Sequence, residues 1–323
     1  MAAVTSQATT DTELPELVRD SELPVIIERD LTIHPQPFTR RSQSREEKWV
    51  RETNLGRGGY GEVWLERKVE GDESLPKLRA VKTIRIPENE SIFELNGGRG
   101  VRELEALAKF SQDNYKDFFV KSYGWYLAPG SLNIAMEFCH HGDLKRYLER
   151  VKTIPTQEVQ EIALQILGAL VSMHRNGFAH RDLKPANVLI KSRPPQDWWV
   201  KLCDFGLSKR QEGMDEVSTN RGTPSFEAPE TLGFPFTGDP KRANPYFADL
   251  WCFGETLYRC HVGSATFEDK KQLFHYQHGE RQFPIEKLQQ ARASGLATNF
   301  IHSLMLPNPA ERLDTERASR HPW

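Results

Sequence analysis

Two different patterns of hydrophobic and polar positions follow each other along this chain. From about residue 49 to 138 the apolar residues come in short runs typical of strands, and polar or glycine-rich loops separate these runs. The runs are WVRETNLG, GEVWLERKV, RAVKTIRI and NIAMEF. From about residue 143 onward the apolar residues recur at the spacing of helices. The pattern therefore predicts a strand-rich block followed by a helical block.

Two segments have the clearest helical periodicity. The segment VRELEALAKF interrupts the strand-rich block, and its apolar face consists of Val101, Leu104, Leu107 and Ala108. The segment QEVQEIALQILGALVSMHRNG has its apolar face at Val159, Ile162, Ala163, Ile166, Leu167 and Leu170. Asn176 and Gly177 follow this face, and such residues commonly end helices. We therefore predict one helix within the strand-rich block and a long helix early in the helical block.

The first 48 residues differ in composition from the rest of the chain. They are rich in Ser, Thr, Asp and Glu, contain scattered Pro, and lead into the mixed-charge run RRSQSREEKWV. This composition favours a flexible leader over residues 1–48. Residues 23–27 form the one apolar patch of the leader, and docking of this patch on the folded body is the alternative. We expect the leader because chain termini are commonly poorly ordered.

The charge and hydropathy of the chain argue against a nucleic-acid partner and against a membrane-spanning helix. The 323 residues include 43 Lys plus Arg and 45 Asp plus Glu, so the formal net charge is −2. Nucleic-acid-binding domains usually carry an excess of basic residues, which this chain lacks. The longest apolar runs have only a few residues, whereas a membrane-spanning helix needs about 20. We therefore expect no nucleic-acid partner and no membrane span.

The cysteines and the N-terminal sequence indicate an intracellular protein. No CxxC spacing occurs among the four cysteines, which are Cys139, Cys203, Cys252 and Cys260. This spacing favours free buried thiols over disulfides or a zinc site. The opening residues MAAVTSQATTDTELPEL have neither the basic start nor the apolar core of a secretory signal. We expect a cytoplasmic or nuclear location.

A glycine cluster between the first two predicted strands has the spacing G-x-G-x-x-G-x-V. The cluster and its apolar flanks are Leu55, Gly56, Gly58, Gly59, Gly61 and Val63. A dinucleotide-binding fingerprint of this spacing would open a helix, but the sequence after the last glycine continues as a strand. The glycines therefore lie in a hairpin, where backbone N–H groups can approach phosphate oxygens because no Cβ blocks them. An ordinary glycine hairpin is the alternative unless a phosphate-binding residue accompanies it.

Lys82 is a candidate for that phosphate-binding residue. It lies within the otherwise apolar predicted strand RAVKTI, and a buried ammonium group is costly unless an acid pairs with it. The predicted helix that follows offers Glu103, with Glu105 as the competing choice. We expect Glu103, because Leu104 and Leu107 then pack inward beside it. A Lys82–Glu103 ion pair would orient the lysine towards nucleotide phosphates.

Three further motifs follow in the helical block. They are HRDLKPANVLI at residues 180–190, DFG at 204–206 and APE at 228–230. With the glycine cluster and Lys82, they make residues 49–323 resemble the serine/threonine branch of the eukaryotic protein kinase domain. The resemblance implies an α+β fold with two lobes. A small β-rich N-lobe with one key helix would occupy residues 49–138, and a larger helical C-lobe would occupy residues 139–323.

The resemblance implies specific catalytic roles. Asp182 would accept the proton of the substrate hydroxyl, and Lys184 would contact the γ-phosphate. A lysine at the position of Lys184 is typical of kinases that act on Ser and Thr. Asn187 and Asp204 would bind Mg²⁺, because hard oxygen ligands suit this hard cation. Lys82 and Glu103 would complete the catalytic set.

The resemblance also implies a binding surface for ATP. It would consist of Leu55, Gly56, Gly58, Gly59, Gly61, Val63, Ala80, Lys82, Met136, Glu137, Cys139, Leu189 and Asp204. Met136 resembles the gatekeeper behind the adenine, and residues 137–139 resemble the hinge whose backbone binds it. Two supporting contacts are implied as well. Asp249 would brace the catalytic loop, and Arg312 would pair with Glu230.

A regulatory site follows from the same resemblance. By the family pattern Arg181, Arg99 and Lys209 would face one point, where a phosphate could gain charge-assisted hydrogen bonds and order the loop. Thr219 is the best-placed acceptor for that phosphate, and Ser218 is second. We therefore predict activation by phosphorylation of Thr219. An unmodified polar loop with basic neighbours is the alternative, because surface charge clusters are commonly only solvated.

The predicted function is transfer of the γ-phosphate of MgATP to Ser and Thr hydroxyls of proteins, under the control of activation-loop phosphorylation. The alternative is a pseudokinase scaffold that binds nucleotide without turnover. Four residues argue against this alternative, namely Lys82, Asp182, Asn187 and Asp204. The expected partners are protein substrates and an upstream activating kinase. The sequence leaves the oligomeric state open.

Overall fold

A computed structural model describes residues 14–35, 46–58, 61–73, 76–87, 99–205, 209–210, 225–232 and 244–323 of the chain. These residues belong to two compact units. The first unit is drawn from residues 1–116 and 120–138, and the second from residues 117–119 and 139–323.

The first unit is built on one antiparallel sheet of seven strands. Its elements in chain order are α1 (Leu14–Asp20), β1 (Ile26–Glu28), β2 (Leu31–Pro35), β3 (Glu46–Gly58), β4 (Gly61–Glu70), β5 (Leu78–Arg85), α2 (Arg99–Phe110), a 3₁₀ turn (Asp113–Tyr115), β6 (Ser122–Ala128) and β7 (Ser131–Glu137). The strand order is β1-β2-β3-β4-β5-β7-β6. The long central strands form because their short runs of β-branched and apolar residues alternate between the two faces of the sheet.

Part of the segment expected to be a flexible leader is structured, so that expectation is corrected for residues 14–35. They form α1, β1 and β2, and β2 pairs with β3 from Leu31↔Val50 to Pro35↔Glu46. The physical reason is the apolar patch at residues 23–27, because Leu23 and Val25 pack against the sheet. Ile26 and Ile27, the two isoleucines of this patch, lie on β1 with exposed side chains.

The second unit is mostly helical. Its elements in chain order are α3 (Leu144–Val151), α4 (Thr156–Arg175), β8 (Phe178–Ala179), a 3₁₀ turn (Pro185–Asn187), β9 (Val188–Ser192), β10 (Trp199–Leu202), β11 (Lys209–Arg210), a second 3₁₀ turn (Pro229–Thr231), α5 (Pro245–Val262), α6 (Lys270–Gln277), α7 (Ile285–Gln290), α8 (Gly295–Leu304) and α9 (Thr315–Ser319). Two small antiparallel pairs, β9 with β10 and β8 with β11, accompany the helices.

Helices α4 and α5 form the centre of the second unit. All six apolar residues that the sequence assigned to one face of α4 are buried. The helix ends at Arg175, where Asn176 donates its backbone N–H to Met173 O at 3.0 Å and Gly177 adopts a φ of 80°. Helix α5 is buried along most of its length and packs against α4 and α8. A helix that is buried on most sides is typical of a core position.

Two properties of the described residues bear on the kind of protein. All four cysteines are free thiols, and three of them are buried. Among the described helices, none is long and apolar enough to cross a membrane.

Candidate active site

In the first unit, Lys82 lies at the middle of β5 and forms an ion pair with α2. Its Nζ is 2.5 Å from Glu103 Oε1, which is the pairing that the sequence predicted in preference to Glu105. The two side chains are 12% and 5% exposed, so little solvent screens the pair. A buried charge that loses its partner is strongly destabilised. The pair therefore holds both charged groups in one arrangement.

Helix α2 presents Glu103 because of its own apolar pattern. Leu104 and Leu107 are 2% and 3% exposed, as expected for residues packed inward beside the glutamate. The helix contacts β6 of the same unit. The position of the Glu103 carboxylate therefore depends on how α2 packs, and not on the helix alone.

The glycine cluster lies in the β3–β4 hairpin, as the sequence predicted. Leu55, Gly56 and Gly58 belong to the end of β3, and Gly58 pairs with Gly61 at the start of β4. Gly61 has a φ of 153°, and a Cβ at this position would overlap the carbonyl oxygen of Thr83. A side chain is therefore excluded by the neighbouring strand itself. Residue 59 of the cluster lies outside the described residues.

Strand pairing brings the other predicted nucleotide-binding residues of the first unit into neighbouring positions. Val63 pairs with Lys82, and Ala80 pairs with Met136. Met136 and Glu137 end β7, where Glu137 N donates to Lys121 O at 2.9 Å. The hairpin, the lysine and the end of β7 are thus parts of one continuous sheet.

In the second unit, Asp182 is held by two residues of the same loop. Lys184 Nζ is 2.7 Å from Asp182 Oδ2. Asn187 Nδ2 donates to the backbone oxygen of Asp182 at 2.8 Å and to its Oδ2 at 3.2 Å. Pro185 opens the 3₁₀ turn that places Asn187, because its φ is already set for such a turn. The loop thus fixes the orientation of the Asp182 carboxylate.

Asp249 of α5 braces this loop from below, as the resemblance implied. Its carboxylate is fully buried and accepts from His180 N at 2.8 Å and from Arg181 N at 2.7 Å. His174 Nε2 lies 2.9 Å from the same carboxylate. Arg181 has a φ of 66°, a backbone conformation that is rare for residues other than glycine. The two backbone hydrogen bonds offset the cost of that conformation.

The surroundings of Asp249 shift its pKa. Burial by itself raises the pKa of this carboxyl. The hydrogen bond and charge of His174, the charge of His180 and the backbone N–H of Arg181 lower the pKa by more than burial raises it. The resulting pKa lies below its ordinary value, so Asp249 stays ionised. An ionised acceptor is what two backbone N–H donors and an imidazole require.

Asp204 begins the DFG motif two residues after the end of β10 and has a φ of 64°. The segment before it is tied to the catalytic loop, because Cys203 N donates to Asn187 O at 3.0 Å and His180 Nε2 lies 3.2 Å from Cys203 O. Phe205, which follows, is fully buried, with its ring 5.9 Å from that of His180. These contacts fix Asp204 relative to the loop that carries Asp182.

Three further predicted residues of the second unit have definite positions. Leu189 lies on β9 and pairs with Lys201 of β10. Cys139 is buried, and its carbonyl oxygen accepts from Gly142 N at 3.1 Å. Arg312 is fully buried and binds both carboxylate oxygens of Glu230 at 2.6 Å, which is the pair that the resemblance implied.

The predicted regulatory site is only partly covered by the described residues. Residues 99 and 209 lie in α2 and β11, but their side chains are outside the described part of the chain. Ser218 and Thr219 also lie outside it. The described part contains no group of three or more His, Cys, Asp or Glu side chains arranged as metal ligands.

The sequence reasoning missed His174. The signal was present, because His174 lies four residues after Leu170 and continues the apolar face of α4. A polar residue on a buried helical face needs a polar partner, and Asp249 is that partner here.

The comparison with protein families agrees with this geometry. The family model described as protein kinase domain matches residues 49–323. The chain belongs to the protein kinase family.

Two curated kinases are similar to this kinase chain. The serine/threonine-protein kinase RAD53 of Saccharomyces cerevisiae is 32% identical over 276 residues, which cover 83% of this chain and 32% of that protein. The serine/threonine-protein kinase RUNKEL of Arabidopsis thaliana is 29% identical over 244 residues, which cover 73% of this chain and 16% of that protein. The chain thus spans about a third or less of the length of these two relatives.

A solved structure shares the fold of this kinase chain. The crystal structure of Rad53 residues 1–466 in complex with AMP-PNP is similar with a TM-score of 0.66 and 28% sequence identity, and the match covers 85% of this chain and 65% of that chain. The predicted fold class, a β-rich N-lobe with one key helix and a helical C-lobe, is confirmed.

Proposed function

We propose that this chain is an active serine/threonine protein kinase that transfers the γ-phosphate of MgATP to protein hydroxyls. The observation that carries the proposal is the arrangement around Asp182, whose carboxylate is oriented by Lys184 and Asn187. Phosphoryl transfer has a loose transition state, so an enzyme contributes mainly positioning and charge neutralisation. A carboxylate fixed by a lysine and an amide of the same loop meets the first of these needs.

Asp182 and Lys184 would act on the transferred group. Asp182 would accept the hydrogen bond, and then the proton, of the substrate hydroxyl and so orient its oxygen for attack. Lys184 would neutralise negative charge on the γ-phosphate. Its Nζ already carries the positive charge next to the Asp182 carboxylate. A pseudokinase would not need either residue.

Lys82 and Glu103 would hold the nucleotide phosphates. Because the Glu103 carboxylate fixes Lys82 Nζ, the ammonium loses little freedom when it binds a phosphate oxygen. The backbone of the hairpin at Gly56, Gly58, Gly59 and Gly61 would cover the phosphates. The adenine would contact the side chains of Val63, Ala80 and Leu189, pack near Met136 and bind the backbone of residues 137–139.

The donor set of the second unit fits a magnesium ion. Mg²⁺ is commonly bound by one or two protein oxygen ligands together with phosphate oxygens. Asn187 uses its Nδ2 to donate to Asp182, so its amide oxygen is directed away from that residue. Asn187 and the carboxylate of Asp204 would hold the ion. When bound, the ion would neutralise charge on the phosphates.

Regulation by phosphorylation at Thr219, with Ser218 as the second choice, is part of the proposal. The cations proposed to bind the phosphate are Arg181, Arg99 and Lys209. Support comes from the loop geometry at Arg181, which Asp249 holds in a left-handed conformation directly before the catalytic Asp182. An upstream activating kinase would be the partner for this step. We further propose an intracellular location, because reducing compartments maintain free thiols such as the four found here.

Transfer of labelled γ-phosphate to a degenerate peptide array tests the proposal. We expect labelling of Ser and Thr peptides by the unaltered chain and a loss of at least about 100-fold with Asp182→Asn, because that variant lacks the proton acceptor. The matched control is Asp197→Asn, an exposed carboxylate of the β9–β10 connection, which should leave the labelling unchanged. Nucleotide binding without labelling of any peptide would support the pseudokinase alternative instead.

A further inference from the structure

Residues 14–35, which we call the N-terminal strap, supply neighbours for two strands of the first unit. At β6, Trp125 N donates to Ser21 O at 3.0 Å and Leu23 N donates to Trp125 O at 2.7 Å. At the other side of the sheet, β2 of the strap pairs with β3. Both β3 and β6 would otherwise be edge strands with unpaired backbone groups. The strap lies outside the residues that match the protein kinase family model.

The strap also covers one face of the sheet. Leu23 and Val25 pack against a cluster of Val81, Tyr126 and Ala135. The three residues of the cluster are at most 1% exposed. Exposing such an apolar face to water is unfavourable, so this contact stabilises the strap on the sheet.

Strand β6 is shaped for close approach of the strap. Gly124 has a φ of 128°, and a Cβ at this position would lie 2.5 Å from Ser21 O and 2.7 Å from the Leu23 side chain. Any residue other than glycine would therefore push the strap away from β6. Gly124 therefore allows the strap to lie directly against β6.

Helix α1 is the part of the strap that contacts α2. It has seven residues, which is too short for an isolated helix to be stable in water. Its last turn is held by β6, because Trp125 Nε1 donates to Val18 O at 2.8 Å. Leu14 at its start is buried, and α1 packs against α2.

Helix α2 is buried over an unusually wide arc. The almost fully buried residues are Glu103, Leu104, Ala106, Leu107, Lys109 and Phe110, each at most 3% exposed. At about 100° per residue these positions span well over half of the helix circumference, whereas a helix on one surface buries a stripe little wider than about 100°. The helix therefore packs against more than one neighbour, and the contacts include both β6 and α1.

We propose that the strap is a positioning element for catalysis, which holds α2 where Glu103 meets Lys82. The inference rests on the proposed kinase function. The strap reaches α2 through α1. Trp125 of β6 holds α1 by its hydrogen bond to Val18 O. Trp125 lies on the same face of the sheet as Lys82, because both residues pair with Ile134. Loss of the α1 contact would let α2 move and separate the ion pair, while the catalytic loop of the second unit would keep its own hydrogen bonds.

A double-mutant cycle in the full chain tests this coupling. The strap variant is Leu14→Asp, which places a charge at the buried start of α1, and the partner variant is Glu103→Gln. We expect Leu14→Asp alone to lower kcat on the order of tenfold, with the peptide KM unchanged, because the ion pair acts after substrate binds. In the Glu103→Gln background the same change should lower kcat less than about twofold, since the pair is already lost.

The control variant is Ile27→Asp, which introduces the same charge into the strap at an exposed position. It should leave kcat unchanged in both backgrounds. An equal loss of kcat by Leu14→Asp with and without Glu103 would overturn the proposal, because a general loss of folded protein acts in this additive way. Trp125→Phe removes the hydrogen bond to Val18 and part of the buried ring without adding a charge, and it serves as the second variant if Leu14→Asp does not fold.

Hydrogen exchange gives a readout that does not depend on catalysis. The amides of α2 should exchange faster in Leu14→Asp than in Ile27→Asp, and the amides of α4 should exchange at the same rate in both. If α2 exchanges equally in the two folded variants, the strap does not position it. Absence of phosphate transfer by the unaltered chain would refute the proposed kinase function separately, and the exchange rates would still decide the role of the strap.

Discussion

At the scale of single residues, buried polar groups differ in how their partners are arranged. Asp249 accepts three hydrogen bonds and is ionised, whereas His34 and His261 are buried and neutral. His34 Nδ1 lies 2.8 Å from Pro24 O in the strap. The two ring nitrogens of His261 have no hydrogen-bond partner among the described residues. Each kind of group responds in its own way to mutation or pH.

The two buried histidines predict a loss of stability in mild acid. Burial, with the charge of Arg79 in the case of His34, lowers each pKa from 6.5 to about 4. Between these values the unfolded chain binds a proton at each histidine and the folded chain does not, so the free energy of unfolding falls as the pH falls. From about pH 7.5 to 5.5 the loss is roughly 1 kcal/mol for each histidine.

Urea denaturation at a series of pH values measures this effect. The variant with His34→Gln and His261→Gln should show a smaller slope of unfolding free energy against pH over that range. Some slope will remain, because burial also lowers the pKa of His302 and His321. A double variant with the same slope as the unaltered chain would show that these two histidines are not the groups responsible.

The brace at Asp249 predicts a large cost for removing its charge. The backbone N–H groups of His180 and Arg181 bind different oxygens of Asp249, so in Asp249→Asn the amide nitrogen must face one of these two donors. We expect the free energy of unfolding to fall by about 2–4 kcal/mol. Urea denaturation near neutral pH checks this, with Asp197→Asn as the exposed control. A change below about 0.5 kcal/mol would mean that the loop does not depend on the brace.

At the scale of secondary-structure elements, the glycine hairpin depends on its neighbour. Strand β4 approaches β5 so closely at Gly61 that a side chain would overlap Thr83 O. The spacing of glycines along the chain identified the hairpin. It did not show which glycine the adjacent strand requires, because that depends on the packing of a strand about 20 residues away.

Gly61→Ala should damage the hairpin more than a typical glycine substitution does. Gly130 provides the matched control, since it has a φ of 69° in the β6–β7 turn with nothing close to its Cβ position. We expect Gly130→Ala to cost only the conformational strain of about 1 kcal/mol. Gly61→Ala should cost at least twice as much and raise the KM for ATP on the order of tenfold, because the displaced hairpin no longer positions phosphates.

Urea denaturation and ATP-dependent rates of both variants test the comparison. Equal stability of the two variants would show that the hairpin moves away from Thr83 without cost. An unchanged KM for ATP in Gly61→Ala would argue against phosphate binding by this hairpin.

At the scale of the whole molecule, the second unit is joined by contacts between distant parts of the chain. Arg312 binds Glu230 through two hydrogen bonds of 2.6 Å, across 82 residues of sequence. The same guanidinium donates to Phe247 O at 3.1 Å and lies 4.9 Å from the ring centroid of Trp251. One buried side chain therefore links the APE motif, α5 and the segment that precedes α9.

Arg312→Lys should destabilise the second unit even though it keeps the charge. A lysine ammonium cannot reproduce the planar, two-pronged contact with a carboxylate, and it would leave buried acceptors without donors. We expect a loss of about 2–4 kcal/mol in unfolding free energy. The control is Arg320→Lys, since Arg320 pairs with Glu316 on the surface with both side chains mostly exposed. That control should change stability by less than about 0.5 kcal/mol, and a similar small change in Arg312→Lys would contradict the prediction.

The sequence by itself determined the motifs and most of the local structure. Three short motifs indicated the fold class, namely the glycine spacing, Lys82 in an apolar strand and the loop around Asp182. Each motif consists of residues that are close together in the sequence, so the sequence alone identifies it. The long helix α4 was predictable for a similar reason, since its apolar face repeats every three to four residues. The choice of Glu103 over Glu105 also followed from helical spacing, and the observed ion pair agrees with it.

Only the tertiary structure decided the strap, the partner of His174 and the requirement for glycine at positions 61 and 124. These features depend on surfaces that are far apart in the sequence, and local composition carries little information about them. Residues 14–35 contain the apolar patch at 23–27, for which docking was the alternative to a flexible leader, and they fold because the sheet offers an apolar face and two open edges. The patch by itself did not decide between leader and docking, because the surfaces that receive the segment belong to β3, β5, β6 and β7 and lie far from it in the sequence.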